Sequence, residues 1–393
     1  MDAVKIADGI YWVGAVDWNT RNFHGYATPR GTSYNAYLIV DEKVALIDCV
    51  KTPFVQQLIS RIRSIIDPKK IDYIISNHSE NDHSSGLPVL QQLTGAPILA
   101  SRKGMEHLPL NYGKLDLRMV ADGEELSLGR NTLKFIETPM LHWPDSMMTF
   151  VKEQGVLFSM DGFGQHFAAS HRFDDEVDEA TLFEEAAKYY ANILLPFGGQ
   201  YRAALEKLMG LDIRLIATAH GIIWRKHIAK IIETYGRWAE HSTRRKAVII
   251  YDTMWGSTES MAIAIAEGIA STGAEVQICK ASATDRSTIV REVLDSKALV
   301  FGSPTLNMGA FPTMADIAIY LKGLKPRNRY AGFFGSYGWV PGGVKAMKEL
   351  LANSGLEFKW EDLDIRFNPM EEGRRRCYDY GVSIGRTIMS EQP

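Results

Sequence analysis

Within Asn77-His78-Ser79-Glu80-Asn81-Asp82-His83 stand two imidazoles and two carboxylates, in the pattern His-x-Glu-x-Asp-His. Donors packed this closely along a chain converge on one point only if a loop wraps around it. A metal is the natural occupant of that point, since mixed nitrogen and oxygen sets suit iron, zinc and manganese. The plain alternative is a polar strand-to-helix loop with Asp82 or Ser84 as N-cap. It would account for a lone Asp-His pair, but it accounts poorly for four donors in six residues. Three more donors follow, each where an apolar run stops. They are His142 in Leu141-His142-Trp143-Pro144, Asp161 in Ser159-Met160-Asp161-Gly162 and His220 in Thr218-Ala219-His220-Gly221.

The elements that must position these groups show in the hydrophobic pattern. Ile71-Asp72-Tyr73-Ile74-Ile75-Ser76 reads as a buried strand ending at the donor loop, and Val89 to Leu93 as a helix beyond it. Thr132 to Glu137 and Leu215-Ile216 are strand-like runs ahead of His142 and His220. Each donor then sits at a strand end, where open α/β folds place chemistry. The spacing resembles the His-x-His-x-Asp-His loop of the metallo-β-lactamase-like superfamily, with Glu80 at its second His. The downstream His, Asp and last His arrive in that superfamily's order.

Around this centre the chain to about residue 241 reads as short strands with helices between them. Gly9 to Gly14, Tyr34 to Val40 and Val44 to Asp48 are strand-like; Phe54 to Ile66, Leu182 to Leu195, Tyr201 to Gly210 and Trp224 to His241 are helical. The pattern matches an αββα sandwich of two mixed sheets flanked by helices. Glu240 to Lys246 is a charge run read as a solvated linker. The expected domains are 1–243 and 247–393.

From Ala247 onward five β-α alternations predict a doubly wound parallel sheet, whose right-handed crossovers gather the β-α loops on one edge. The first loop, Asp252-Thr253-Met254-Trp255-Gly256-Ser257-Thr258-Glu259, brings hydroxyls and amides to a helix N-terminus and suits a phosphate. It is neither Gly-x-Gly-x-x-Gly nor a Walker loop, which argues against a dinucleotide or a nucleoside triphosphate. The second runs Gly302-Ser303-Pro304-Thr305-Leu306-Asn307-Met308-Gly309, and the third Gly335-Ser336-Tyr337-Gly338-Trp339. Each alone would pass for an ordinary turn, and Trp255, Tyr337 and Trp339 for packing residues. In register with the strand order, the trio resembles flavodoxin and points to FMN.

Composition sets the outer bounds. A length of 393 residues makes two domains the default. Hydrophobic content of 46%, charged content of 23% and a net charge of -3 are ordinary for a soluble protein. They offer nothing to nucleic acid or a membrane surface. No cleavable leader and no apolar run near the ~20 residues of a bilayer span is present, so a cytoplasmic protein is expected. Cys49, Cys279 and Cys377 form no Cys-x-x-Cys pair and signal neither disulfides nor a thiolate iron site.

Joined in one chain, the two halves resemble a flavodiiron protein over essentially the whole length. Arg21-Asn22-Phe23-His24-Gly25-Tyr26 and Thr32-Ser33-Tyr34-Asn35-Ala36-Tyr37-Leu38 are further family-like strings. The resemblance implies a cytoplasmic enzyme that reduces dioxygen to water, nitric oxide to nitrous oxide, or both. It implies one iron on His78, Glu80 and His142, a second on Asp82 and His220, and Asp161 bridging them. Family members differ on whether His83 binds iron. His24 and one of Tyr189 and Tyr190 would line the pocket. FMN would contact Thr253, Met254, Trp255, Gly256, Ser257 and Thr258, then Pro304, Thr305, Leu306, Asn307 and Gly309, then Ser336, Tyr337, Gly338 and Trp339. Two departures stand out: Met308 where a second Asn is common, and His171 where Glu is frequent.

The chemistry explains the pairing of halves. Dioxygen needs four electrons to become water; two irons supply two and a reduced flavin two more. A carboxylate at Glu80 shifts a zinc-like nitrogen set toward iron. With no Cys-x-x-Cys pair in the chain, electrons are expected from a separate rubredoxin-like protein. The resemblance implies assembly as a head-to-tail homodimer or a dimer of dimers. The competing readings are a metal-dependent hydrolase of the lactamase-like class, which stoichiometric zinc and esterase activity would reveal, and a flavin electron carrier with an inert first domain. Glu80 and the flavodoxin-like half oppose the first, and the complete donor set opposes the second.

Overall fold

The computed structural model describes residues 2–391, so the outermost bounds of both expected domains lie outside it. Two compact units emerge: 1–190 with 199–236, and 191–198 with 237–393. The chain therefore passes between units more than once, where the sequence suggested a single boundary near residue 243.

The first unit is a sandwich. Its seven-stranded sheet runs in the order Val4–Ala7, Ile10–Trp12, Tyr37–Val40, Val44–Ile47, Tyr73–Ser76, Ile98–Ala100, Leu117–Met119. Its five-stranded sheet runs Glu125–Ser127, Thr132–Glu137, Met147–Val151, Val156–Met160, Leu215–Thr218. Successive residues of a strand point to opposite faces. Tyr37, Ile39, Ala45, Ile47, Ile75 and Leu99 of the first sheet share one core with Phe135, Val151, Phe158 and Ala217 of the second. Their neighbours Leu38, Leu46, Ile74 and Ile98 face the other way, onto Leu58, Ile59 and Ile62 of the helix Val55–Arg63. Both faces are covered, which is why these strands read as continuous apolar runs. The lactamase-like fold is borne out.

The second unit has a parallel sheet in the order Glu275–Lys280, Arg244–Tyr251, Ser296–Gly302, Tyr330–Tyr337, closed by Glu357–Phe358 and Leu363–Arg366, both paired to Tyr330–Tyr337. This is the flavodoxin order. The helices Ser257–Ala270 and Glu371–Ser390 cover one face through Met261, Ile265, Ile269, Cys377, Ile384 and Ile388. They approach closely at glycines: a Cβ on Gly268 would lie 2.1 Å from the Tyr378 carbonyl, and one on Gly381 2.1 Å from that of Ile265. The charge run was misread as wholly solvated. Arg244 already begins the central strand, and Lys246 is buried with its Nζ 2.6 Å from Glu292 and 2.9 Å from Asp295. Paired charges look like a linker in sequence because their partners lie about fifty residues away.

The helix expected over 182–195 ends at Tyr189 and continues as one π-turn, Tyr190–Leu194. Gly198–Leu208 and Ile228–Ala239 are the other two helices of that region.

Candidate functional site

Every downstream donor follows a strand of the five-stranded sheet, and the donor loop follows Tyr73–Ser76 of the other. The loop is more regular than its composition suggests. Asn81–Ser84 forms a single helical turn with Glu80 at its N-cap, so Asp82 and His83 leave from one turn while His78 and Glu80 precede it. A buried polar frame fixes its start. Asp48 accepts from the Asn77 amide and side chain, both at 2.8 Å, and Asn77 Oδ1 accepts from the Thr149 hydroxyl at 2.7 Å. The Ser84 hydroxyl closes the other end on the carbonyls of Ser79 and Glu80.

The seven donors gather into two sets, His78, Glu80, His142 and Asp161 in one and Asp82, His83 and His220 in the other, each with its ligand atoms within 4.8 Å of one another. Asp161 touches both. Its Oδ2 lies 3.4 Å from His142 Nε2 and 3.7 Å from His78 Nε2, and its Oδ1 lies 3.3 Å from His83 Nε2 and 3.6 Å from His220 Nε2. Glu80 Oε2 is 3.1 Å from His142 Nε2 and 3.4 Å from His78 Nε2. Asp82 Oδ2 is 3.1 Å from both His83 and His220.

These are close contacts, yet His78 Nε2, His83 Nε2, Asp82 Oδ1 and Asp161 Oδ2 are buried without a hydrogen-bond partner among the described residues. Buried polar atoms are normally satisfied. Atoms that converge without bonding each other are placed for something between them, and this donor set fits metal ions of the iron type. Residues outside the sets hold the rings. His78 Nδ1 lies 3.2 Å from Asp145, which also accepts from the Ser79 amide at 2.6 Å, and His220 Nδ1 donates to the Ser33 carbonyl at 2.6 Å. Such partners fix the tautomer that leaves Nε2 free to ligate.

Electrostatics follows from the crowding. Burial opposes charge on His142 and His83, but facing carboxylates hold both up at about 9, Asp161 and Glu80 for the first and Asp82 and Asp161 for the second. Burial would raise Asp161, yet His83 and His142 hold it well below the carboxylate range.

Around the donors, His24 Nε2 lies 3.5 Å from Glu80 Oε1 on a half-exposed tight turn. Of the two tyrosines it is Tyr189 that meets the site, its hydroxyl donating to Asp161 Oδ1 at 2.9 Å; Tyr190 is buried against Tyr201 and Tyr235. Sequence inspection missed Asp145 and His166. The latter is buried beside His220 and Tyr189 and bonds the Thr32 hydroxyl at 2.9 Å. Its signal was its place five residues after Asp161, at the end of the glycine-rich stretch Gly162-Phe163-Gly164-Gln165. His171 is exposed, with Ser170 Oγ 3.4 Å from its ring.

In the second unit a cavity of about 450 Å³ opens where the three β-α loops meet. It lies in the volume range of cofactor sites. Thr253, Met254, Trp255 and Ser257 line it from the first loop, Pro304 to Met308 from the second, and Ser336 to Val340 from the third. The helix Ser257–Ala270 starts here behind Gly256, at φ 84° and with no side chain capping it, so first-turn amides are left for an anion. Three expected contacts do not line the cavity: Gly256, Gly309 and Thr258. Thr258 is fully buried with Oγ1 2.9 Å from Ser336 Oγ, because the second residue of the helix turns back toward the sheet. Met308, Val340 and Phe367 line it unexpectedly. Trp255 and Trp339 are 93% and 83% exposed, an apolar rim at the cavity mouth.

Known proteins agree with this architecture. The family model described as ODP family beta lactamase matches residues 32–221, and the one described as flavodoxin matches 249–381. A nitric oxide reductase of Moorella thermoacetica is 46% identical, over 98% of this chain and 98% of its own. The solved rubredoxin oxygen:oxidoreductase of Desulfovibrio gigas superposes with a TM-score of 0.96 at 39% identity, covering 99% of each chain. The flavodiiron protein of Giardia intestinalis does so with a TM-score of 0.97 at 37% identity, covering 99% of this chain and 97% of that one. With both sets of donors, the cavity and both folds in one polypeptide, this chain belongs to the flavodiiron protein family.

Proposed function

We propose that this chain is an oxidoreductase that reduces dioxygen to water, nitric oxide to nitrous oxide, or both, at a non-haem diiron site fed by FMN. The observation that carries this reading is Asp161, one buried carboxylate whose two oxygens face two different sets of donors. His78, Glu80 and His142 would hold one iron and Asp82, His83 and His220 the other, with Asp161 placed to serve both. His83 belongs with the ligands, its Nε2 as near Asp161 Oδ1 as that of His220 is. When bound, the irons and the flavin together hold the four electrons that dioxygen requires. The chain's own groups do the rest. Tyr189 steadies Asp161, and Trp143, with its ring 5.1 Å from that of His78, closes one side against water. His24 stands at the open side over Glu80. The cavity would hold FMN, with Ser257 and the uncapped amides available to its phosphate and Trp255, Tyr337 and Trp339 to its ring.

Electrons come from a separate rubredoxin-like protein docking near the flavin; the solved relative from Desulfovibrio gigas carries such a partner in its name. The exposed apolar rim supports a head-to-tail homodimer, in which a second copy covers it. The three cysteines are buried and free, and no described helix is long and apolar enough to cross a membrane. Both fit a cytoplasmic enzyme.

The test is anaerobic reduction of the purified protein, then separate additions of dioxygen and nitric oxide with rates and products measured. Water, nitrous oxide or both are the expected products. Stoichiometric zinc in protein from iron-replete cells, or FAD in place of FMN, would overturn the assignment.

A further inference from the structure

Behind Asp161 lies a group of phenols that neither set of donors uses. Tyr190, Tyr201 and Tyr235 are at most 1% exposed, and their rings meet in a closed triangle with centroids 5.0 to 6.1 Å apart. Phe163, two residues from Asp161, packs on Tyr235 at 4.8 Å and Tyr201 at 5.7 Å. The Phe163 backbone also meets the Tyr235 hydroxyl. The Tyr201 hydroxyl rests against Gly162, 3.5 Å from where a Cβ would stand, and finds no hydrogen-bond partner among the described residues. Phenylalanine at 201 would fill the same space without burying an unsatisfied hydroxyl, which costs stability. A phenol differs from phenylalanine in one further respect: it can be oxidised.

The group connects to the site by the shortest covalent route available. Tyr189 donates to Asp161 Oδ1, and Tyr190 is its neighbour in the chain. Consecutive helical residues point about 100° apart. The end of the helix at Tyr189 and the π-turn from Tyr190 therefore aim one phenol at the donors and the next into the triangle.

We propose that Tyr189, Tyr190, Tyr235 and Tyr201 form a reserve of electrons that quenches the oxidant left at the iron site when dioxygen is taken up with too few electrons to reach water. The proposal rests on the dioxygen-reducing function above. Tyr189 is oxidised: one electron goes to the oxygen-derived oxidant and the phenolic proton passes by way of Asp161 Oδ1 to the same oxygen, so that Asp161 ends unprotonated, and two such steps supply the two electrons and two protons still missing from water. Net transfer of a hydrogen atom from a phenol of the triangle restores Tyr189 and moves the radical away from the donors. Reduced FMN returns one electron and one proton when the external donor recovers, and the oxidised phenol is a phenol again. The buried triangle keeps the radical from solvent and from other proteins meanwhile.

The experiment uses holoenzyme reduced by two electrons, mixed with dioxygen and frozen at intervals for electron paramagnetic resonance. A transient tyrosyl signal is expected, narrowed when the protein carries ring-deuterated tyrosine and changed in shape in Tyr235→Phe and Tyr201→Phe. These variants should keep their iron and FMN and their initial rate with ample donor. With donor limiting, they should survive several-fold fewer turnovers. Oxygen consumption without any tyrosyl signal in the natural protein overturns the proposal and leaves the function standing. An unchanged turnover lifetime in the combined Tyr190→Phe, Tyr201→Phe and Tyr235→Phe variant overturns it as well. Absence of oxygen consumption by the reduced holoenzyme overturns both together.

Discussion

At the scale of the residue, this centre is a balance of charges that a cation completes. Glu80→Ala removes a carboxylate from one set and Asp161→Ala one from both. Glu80→Ala is expected to lose about one iron per chain and Asp161→Ala about two, read by metal analysis of purified protein. Asp145→Asn keeps every donor but unseats His78, and is expected to weaken iron about 10- to 100-fold in a chelator competition. The ring protons give a pH dependence whose sign can be worked out. In metal-free protein His83 and His142 are raised from an ordinary 6.5 to about 9. Their stabilisation is therefore complete below about 6.5 and is lost as pH rises through about 9. Metal-free protein should melt at falling temperatures across that window. Iron must displace the same protons, so its affinity should climb over the same range and level off above it. A flat affinity between pH 6.5 and 9 would show that these imidazoles are not ligands.

At the scale of the element, two devices hold the sites. In the first unit the donor loop hangs from Asn77, held by Asp48 and Thr149. Thr149→Val leaves the buried Asn77 oxygen without its donor and should cost about 1–3 kcal/mol in denaturant unfolding, with iron binding weakened alongside. In the second unit the helix that starts at the cavity is pressed against the C-terminal helix at Gly268 and Gly381. Gly381→Ala puts a methyl into the Ile265 carbonyl and is expected to cost about 1–3 kcal/mol. Because it displaces the helix whose N-terminus faces the cavity, FMN should be held less tightly while iron content is unchanged. Equal loss of both cofactors would mean global unfolding instead.

At the scale of the whole molecule, the question is how a flavin in one unit serves irons in another. The proposed answer is a second copy, and mixing tests it. Asp161→Ala disables the irons. For the flavin, Ser257→Trp fills the cavity mouth, whereas a change at buried Thr258 would damage the fold. Each homodimer should be inactive, and exchanged heterodimers should recover one working flavin–iron pair of two, up to about half the natural activity per dimer. Confirmed heterodimers without activity, or an active monomer, would exclude a cross-subunit route.

The sequence by itself determined the donor types, their order and their strand-end positions. All of these follow from local hydrophobic periodicity and from which side chains can ligate. It also determined the two folds, because short continuous apolar runs of strand length and alternating β-α units leave few topologies. The family resemblance implied how the donors divide into two sets, but tertiary structure put His83 beside Asp82 and His220, since that depends on which strands of two sheets end beside one another. It decided that Tyr189 and not Tyr190 meets Asp161, through a helix end no pattern announces. It also turned Thr258 away from the cavity, paired Lys246 with distant acids and brought Asp145 to His78 across 67 positions. Side-chain direction and long-range pairing are set by packing, and packing is not written in spacing.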